Sequence, residues 1–276
     1  MNAPLSDLRL AEIEITLTQR DHDILNVLKK LRFLKTDQVR RLFFSNTAPT
    51  PRASLTAATR NLNRLKKHGI IDHLEKRVGG VRAGSLGLIW YLTEAGARLL
   101  NLGKDVKKRR INRPDPSFVF LRHILAVAEC YIQINDICSR ESRMRLSCLE
   151  VEPECWRAYD VKGQNLSLRP DLYAETISGE YTDYWFIEMD LDTEATQEII
   201  AKCKRYLDYY QTGKEQSVKT VFPVILWIVP SAERKEKMEA SIKEAFGNRQ
   251  VRIFLIITPD ELEGTLKEGA DESKLC

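Results

Sequence analysis

The sequence predicts an α/β chain in two parts: a helical N-terminal domain closed by two short strands, then a domain built on a mixed sheet with helices on both faces. Three observations carry this. Apolar residues recur at helical spacing three times before His68, and two strand-like segments follow, Ile70 to Lys76 and Leu86 to Leu92. From Ser117 onward, helical and strand-like patterns interleave. The charge divides along the same line. Residues 1–113 hold 23 Lys/Arg against 10 Asp/Glu, a net of +13, whereas the rest is −9 within a chain total of +4. Such a split suggests that the N-terminal part meets a polyanion.

The first helix opens at Thr18-Gln19-Arg20-Asp21, a Thr cap with an acid three residues on, and Ile24, Leu25, Leu28 and Leu31 form its apolar face. Thr36 caps a second, with Val39, Leu42 and Phe43 inward. After Pro49 and Pro51 a third helix runs from about Arg52 to Lys67. Leu55, Ala58, Leu62 and Leu65 lie on one face, and Arg52, Thr56, Arg60, Asn63, Arg64 and Lys67 on the other. His68-Gly69 ends it. Between the two strands lies Arg77-Val78-Gly79-Gly80-Val81-Arg82, and Thr93-Glu94-Ala95-Gly96 starts a short helix. Three helices and a two-stranded wing make a winged helix-turn-helix over residues 1–102, in which the third helix enters the major groove. Arg60, Asn63 and Arg64 can reach base edges, since Arg pairs with guanine and Asn with adenine. Arg52, Thr56, Lys67, Arg77 and Arg82 complete the expected DNA-binding set, the lysine and wing arginines suiting phosphates. The expected partner is double-stranded DNA.

Residues 103–116 are polar, strongly basic and closed by two prolines, a linker that is either a solvated charge run or an arm lying on phosphates. From residue 117 to 276 the expected order is helix, three strands (Met144–Val151, Ser167–Ile177, Tyr181–Asp190), helix (Thr193 to Gln211), strand (Val218–Val229), helix (Ala232–Phe246) and strand (Arg252–Thr258). That is the core order of a restriction-endonuclease-like mixed sheet. The apolar runs Val221–Val229 and Val251–Ile257 are too short to span a bilayer. No basic-then-apolar segment opens the chain, and the six cysteines show no CxxC spacing. We therefore expect a cytoplasmic protein with reduced thiols and no membrane or zinc.

Chemistry concentrates at Arg169-Pro170-Asp171 and Trp185-Phe186-Ile187-Glu188-Met189-Asp190. Residues two apart on a strand share a face, so Glu188 and Asp190 point the same way as Phe186. Same-face acids are costly as core unless partnered. They suit the rim of a Mg²⁺ or Mn²⁺ site, where one or two carboxylates join waters and phosphate oxygens. The alternative is a set of solubility charges at the sheet edge. Metal-dependent phosphodiesterases of this type place an acid on one strand, then Glu or Asp, any residue, and Lys on the next. Here Asp190 stands where the lysine belongs. Lys202 shares a helical face with Glu194, Glu198 and Tyr206, so it either supplies the missing cation or pairs with Glu198. The expected catalytic set is Asp171, Glu188, Asp190 and Lys202, with Asp171 and Glu188 holding the metal. Glu129 is a further candidate ligand, and His123 reads as a packing residue.

The chain resembles the replication-relaxation proteins of plasmids and integrative elements. The matching residues are Leu17-Thr18-Gln19-Arg20-Asp21, Arg60-Asn61-Leu62-Asn63-Arg64-Leu65, Tyr91-Leu92-Thr93-Glu94-Ala95-Gly96, His123, Arg169-Pro170-Asp171, Glu188-Met189-Asp190, and Lys202 with Tyr206. The resemblance implies handling of DNA near an origin in replication or conjugative transfer. The second domain also looks like a divergent PD-(D/E)xK nuclease, departing from that pattern at Asp190. Two alternatives stand beside a DNA nickase: a winged-helix transcription regulator with an inactive nuclease-like domain, and an adaptor that recruits a relaxase or replication initiator. A homodimer is compatible with each.

Overall fold

A computed structural model describes residues 5–45, 50–74, 87–102, 114–161, 163–247, 252–270 and 275. Arg77, Arg82 and most of the expected linker lie outside the described residues. The chain forms two compact units, Met1–Ile132 and Gln133–Cys276.

In the first unit, Ser6 caps α1 (Asp7–Thr16), accepting from Arg9 N. Only Leu10 and Ile13 of this helix are buried, while Leu8 and Ile15 are exposed. The expected capping box forms at α2 (Gln19–Leu31): Thr18 Oγ1 accepts from Asp21 N, and Asp21 accepts from Thr18 N. Next come β1 (Leu34–Lys35), α3 (Thr36–Phe44) and α4 (Pro51–Lys67), the last capped by Thr50 with proline in its first turn. The strands β2 (Ile71–His73) and β3 (Ile89–Leu92) are antiparallel, and β1 joins them in the order β1-β3-β2. Ile24, Leu25, Leu28, Val39, Ala58, Leu62 and Leu65 fill the core, whereas Leu55 is only half-buried. Thr93 caps α5 (Glu94–Leu99). The glycine of that motif has a steric cause: a Cβ on Gly96 would lie 2.1 Å from the Ile70 carbonyl oxygen.

The helix α6 (Phe118–Arg140) gives its first part to this unit, where Leu121, Ile124 and Leu125 pack with Phe33, Ile89 and Tyr91. By length and composition alone α6 could cross a membrane. That is weak evidence, since core helices pass the same test, and α6 has buried residues along its length.

The second unit takes the rest of α6 and a five-stranded sheet, β10-β9-β8-β7-β4. The strands β4 (Met144–Val151), β7 (Leu172–Ser178) and β8 (Tyr181–Met189) form an antiparallel meander. Then β9 (Val224–Ile228) and β10 (Phe254–Ile257) run parallel to β8. This mixed sheet fits the expected layout. An antiparallel hairpin, β5 (Arg157–Val161) and β6 (Gln164–Leu168), interrupts the meander. The segment expected as one strand, Ser167–Ile177, is therefore two, separated at Arg169-Pro170-Asp171, where proline lacks the donor a ladder needs. The expected strand from Val218 is also shorter. Residues Lys214–Lys219 form α8 between Gly213 and Thr220, both at positive φ, and β9 begins only after Pro223. The helices α7 (Thr196–Gln211) and α9 (Ala232–Phe246) contribute Ile199, Cys203, Tyr206, Met238 and Ile242 to a core with Tyr173, Phe186, Ile225 and Trp227. A 3-10 turn (Pro259–Glu261) and α10 (Leu262–Glu268) close the chain.

Candidate functional site

Two groups of charged and polar residues stand out, one exposed and one buried. The first is the outer face of α4. Arg52, Thr56, Arg60, Asn63 and Lys67 are all exposed, at intervals of three or four residues that keep them on one side. Arg64 differs from the expectation. Its Nη2 lies 2.5 Å from Asp21 Oδ1, which also accepts from Asn61 Nδ2 at 2.8 Å. Asp21 is wholly buried. Burial works against its charge, but the Thr18 backbone, Asn61, Arg64 and the Thr18 hydroxyl outweigh this and hold its pKa below the ordinary value. Arg64 and Asn61 thus tie α4 to the capping box of α2. The motif residues around Asp21 and Arg60–Leu65 belong to one contact.

The second group lies where β7 and β8 meet α7. Asp171 Oδ2 accepts from Met189 N at 2.8 Å, and Asp171 N donates to Ile187 O at 3.1 Å, stitching the start of β7 to the end of β8. Glu188 is 0% exposed. Its Oε1 accepts from the Tyr206 hydroxyl at 2.5 Å, and its Oε2 lies 2.6 Å from Lys202 Nζ. Lys202 and Tyr206 are four apart on α7, so one helical face presents both. Glu198, the rival partner for Lys202, instead accepts from Ala195 N at the start of α7. Asp171 and Glu188 come from adjacent strands and Lys202 from the helix above them.

Burial pushes the Glu188 carboxyl up to about 7, with Lys202 pulling it down and Asp171 adding to the rise. Burial also acts against the Lys202 ammonium, but Glu188 and Asp171 together more than offset it, and the lysine is held charged well above neutral pH. Burial, then Glu188, raise Tyr206 far above the ordinary phenol value. Tyr206 is therefore a neutral donor and no phenolate nucleophile at neutral pH.

Asp190 shares the α7–α9 side of the sheet, as alternation requires, but has a different partner. Arg234 of α9 reaches it with Nε at 2.6 Å and Nη2 at 3.2 Å, and Nη2 also donates to Glu194 O at 2.9 Å. Both residues are buried. Asp190 anchors the segment leading into α7, and its carboxylate is committed to that pair. Arg234 carried no sequence signal: it sits in a helix dense with charge, and only the fold brings α9 against the end of β8. Glu129 lies in the other unit, where Arg41 pairs with it and Gln38 Nε2 donates to it at 3.2 Å. His123 is half-buried.

A family model described as replication-relaxation matches residues 25–225, most of the chain and nearly all of the residues just described. The chain belongs to the replication-relaxation family. Searches among curated proteins and among solved structures found no match. Membership in the replication-relaxation family suggests a role in plasmid or mobile-element replication or transfer.

Proposed function

We propose that this replication-relaxation protein binds duplex DNA through α4 and nicks it with Mg²⁺ or Mn²⁺ at Asp171, Glu188 and Lys202. The observation that carries the reading is the ion pair between Lys202 and Glu188. It supplies, from α7, the cation that the strand motif lacks at Asp190.

The donor set suits a hard cation. Asp171 and Glu188 offer carboxylate oxygens, and Mg²⁺ binds through one or two of these with waters and phosphate oxygens. Glu188 can keep Tyr206 and still ligate, since each carboxylate oxygen has two lone pairs. The proposed ligands are these two acids; among the described residues no cluster of three or more His, Cys, Asp or Glu gathers. The bound cation would polarise a phosphoryl oxygen and lower the pKa of a bound water. Tyr206 fixes the Glu188 rotamer. Lys202, charged and close to both acids, stabilises negative charge as it develops on the phosphate. On α4, Arg60 and Asn63 read base edges, and Arg52, Thr56 and Lys67 hold the backbone.

A second reading has its own observation. Glu188 is fully buried and its charge is already compensated by Lys202, so the ion pair stands without a ligand. That favours a winged-helix regulator whose second unit is inactive. Incubating the protein with supercoiled plasmid carrying its origin, with Mg²⁺ or Mn²⁺, separates the two. Nicking by wild type that chelator and the Asp171→Ala, Glu188→Ala double variant abolish supports the nickase. Tight, chelator-insensitive binding without nicking supports the regulator.

A further inference from the structure

We propose that Trp227 is a positioning residue of this site: its ring seats the Lys202 ammonium, and its indole N–H holds an ordered water against Glu188 Oε2. The inference rests on the reading of Asp171, Glu188 and Lys202 as one site.

Trp227 and Glu188 are register partners on the parallel strands β9 and β8, so their side chains leave the same face of the sheet. Lys202 Nζ touches both: it lies 2.6 Å from Glu188 Oε2 and 5.3 Å from the centroid of the Trp227 ring. That separation is within the range of a cation–π contact. The ring therefore limits where a flexible lysine can place its charge.

Two buried polar atoms on these paired residues have hydrogen-bonding capacity that the protein does not fill. Trp227 Nε1 is a buried donor with no partner, and Glu188 Oε2 is buried with the Lys202 ammonium 2.6 Å away and a second lone pair to spare. Buried polar groups are seldom left so, because an unmade hydrogen bond forfeits the group's hydration. The other two fully buried tryptophans satisfy theirs: Trp185 donates to Thr176 Oγ1 and Trp90 to Thr36 Oγ1, each at 2.9 Å. An open donor and an acceptor with a lone pair to spare, on paired residues beside an ammonium, fit one water. It would accept from the indole, donate to Oε2 and lie beside Lys202, within the two to four contacts that buried waters usually make. In a phosphodiesterase this arrangement keeps a water next to the acid and the lysine.

The test is nuclear magnetic resonance on full-length protein with ¹⁵N-labelled tryptophan, the Trp227 indole assigned from the Trp227→Phe spectrum. We expect a cross-peak between the Trp227 indole proton and a long-lived water, with none at Trp185. Trp227→Phe keeps an aromatic face for the ammonium but deletes the donor together with the five-membered ring. It should lower the nicking rate about three- to tenfold, the worth of one neutral hydrogen bond, with DNA affinity near wild type, both read well below the lowered melting transition that a smaller buried ring entails. Trp227→Leu, which also removes the aromatic face, should lose more. A Trp227 indole without a water contact would overturn the proposal, as would Trp227→Phe nicking at the wild-type rate while Asp171→Ala is dead. If wild type does not nick at all, the nickase reading fails by itself. The water cross-peak then still decides whether Trp227 holds a water.

Discussion

The two candidate surfaces use the same residue types in opposite environments. On α4 the charges of Arg52, Arg60 and Lys67 face solvent. Exposed charges contribute little to folding and are available to a polyanion. At the end of β8 the charges are buried and compensated in pairs, Glu188 with Lys202 and Asp190 with Arg234. Removing one partner there strands the other in a low-dielectric interior. The comparison teaches that a charged motif must be divided by environment before it is given a function. Arg64 and Asp190 show this most clearly. Each sits in a motif that looks like a binding site, and each is ion-paired to a buried partner within the protein.

The sharpest way to break the comparison is at the buried pair. Lys202→Ala should destabilise the protein by about 3–5 kcal/mol, because Glu188 is left buried without its cation. Adding Glu188→Gln should restore much of that loss. Denaturant melts of wild type and the two variants check it, and equal stability of single and double variants would contradict the coupling. Next is Asp21→Ala, which removes a cap acceptor and the anchor of Arg64 and Asn61, expected to cost about 2–4 kcal/mol. Its pH signature is set by a pKa held below the ordinary carboxylate value. The Asp21 contribution is full above that value and lost as pH falls through the lower folded-state pKa. Asp21→Asn should flatten that acid limb of the stability curve.

On the exposed face the effects are smaller and fall on binding. Arg60→Ala should weaken specific DNA binding by about 1–3 kcal/mol with the melting temperature unchanged. Arg64→Ala should instead lower stability, and its binding loss should shrink at low temperature where the domain stays folded. Titrations of both variants against one duplex distinguish the two roles. Lys67→Ala should weaken all sequences alike and reduce the slope of log affinity against log salt by about 1.

Much of this was legible in the sequence. The Thr18–Asp21 box, the helical spacing of α4 and the apolar strands β8, β9 and β10 follow from local rules. So does the α7 face that carries Lys202 and Tyr206. Long-range pairing was not legible. Helix spacing exposes Arg64 to DNA as readily as to Asp21, and nothing local marks Arg234 as the partner of Asp190. The helix α1 was hidden because Leu8, Leu10, Ile13 and Ile15 mix spacings of two and three, while only Leu10 and Ile13 are buried. The β5–β6 hairpin was hidden because its second strand runs into the Pro170 break and reads as one strand with β7.

The claim that most needs testing is that α7 supplies the cation of a working site. The measurement is nicking of origin-bearing supercoiled DNA in Mn²⁺ by wild type and by Lys202→Ala, at a temperature where both are folded and both bind DNA. We predict nicking by wild type and a loss of at least about a hundredfold in the variant, in line with the loss of one transition-state charge contact. Equal nicking by the two proteins would contradict the assignment of Lys202 and return the pair to a purely structural role.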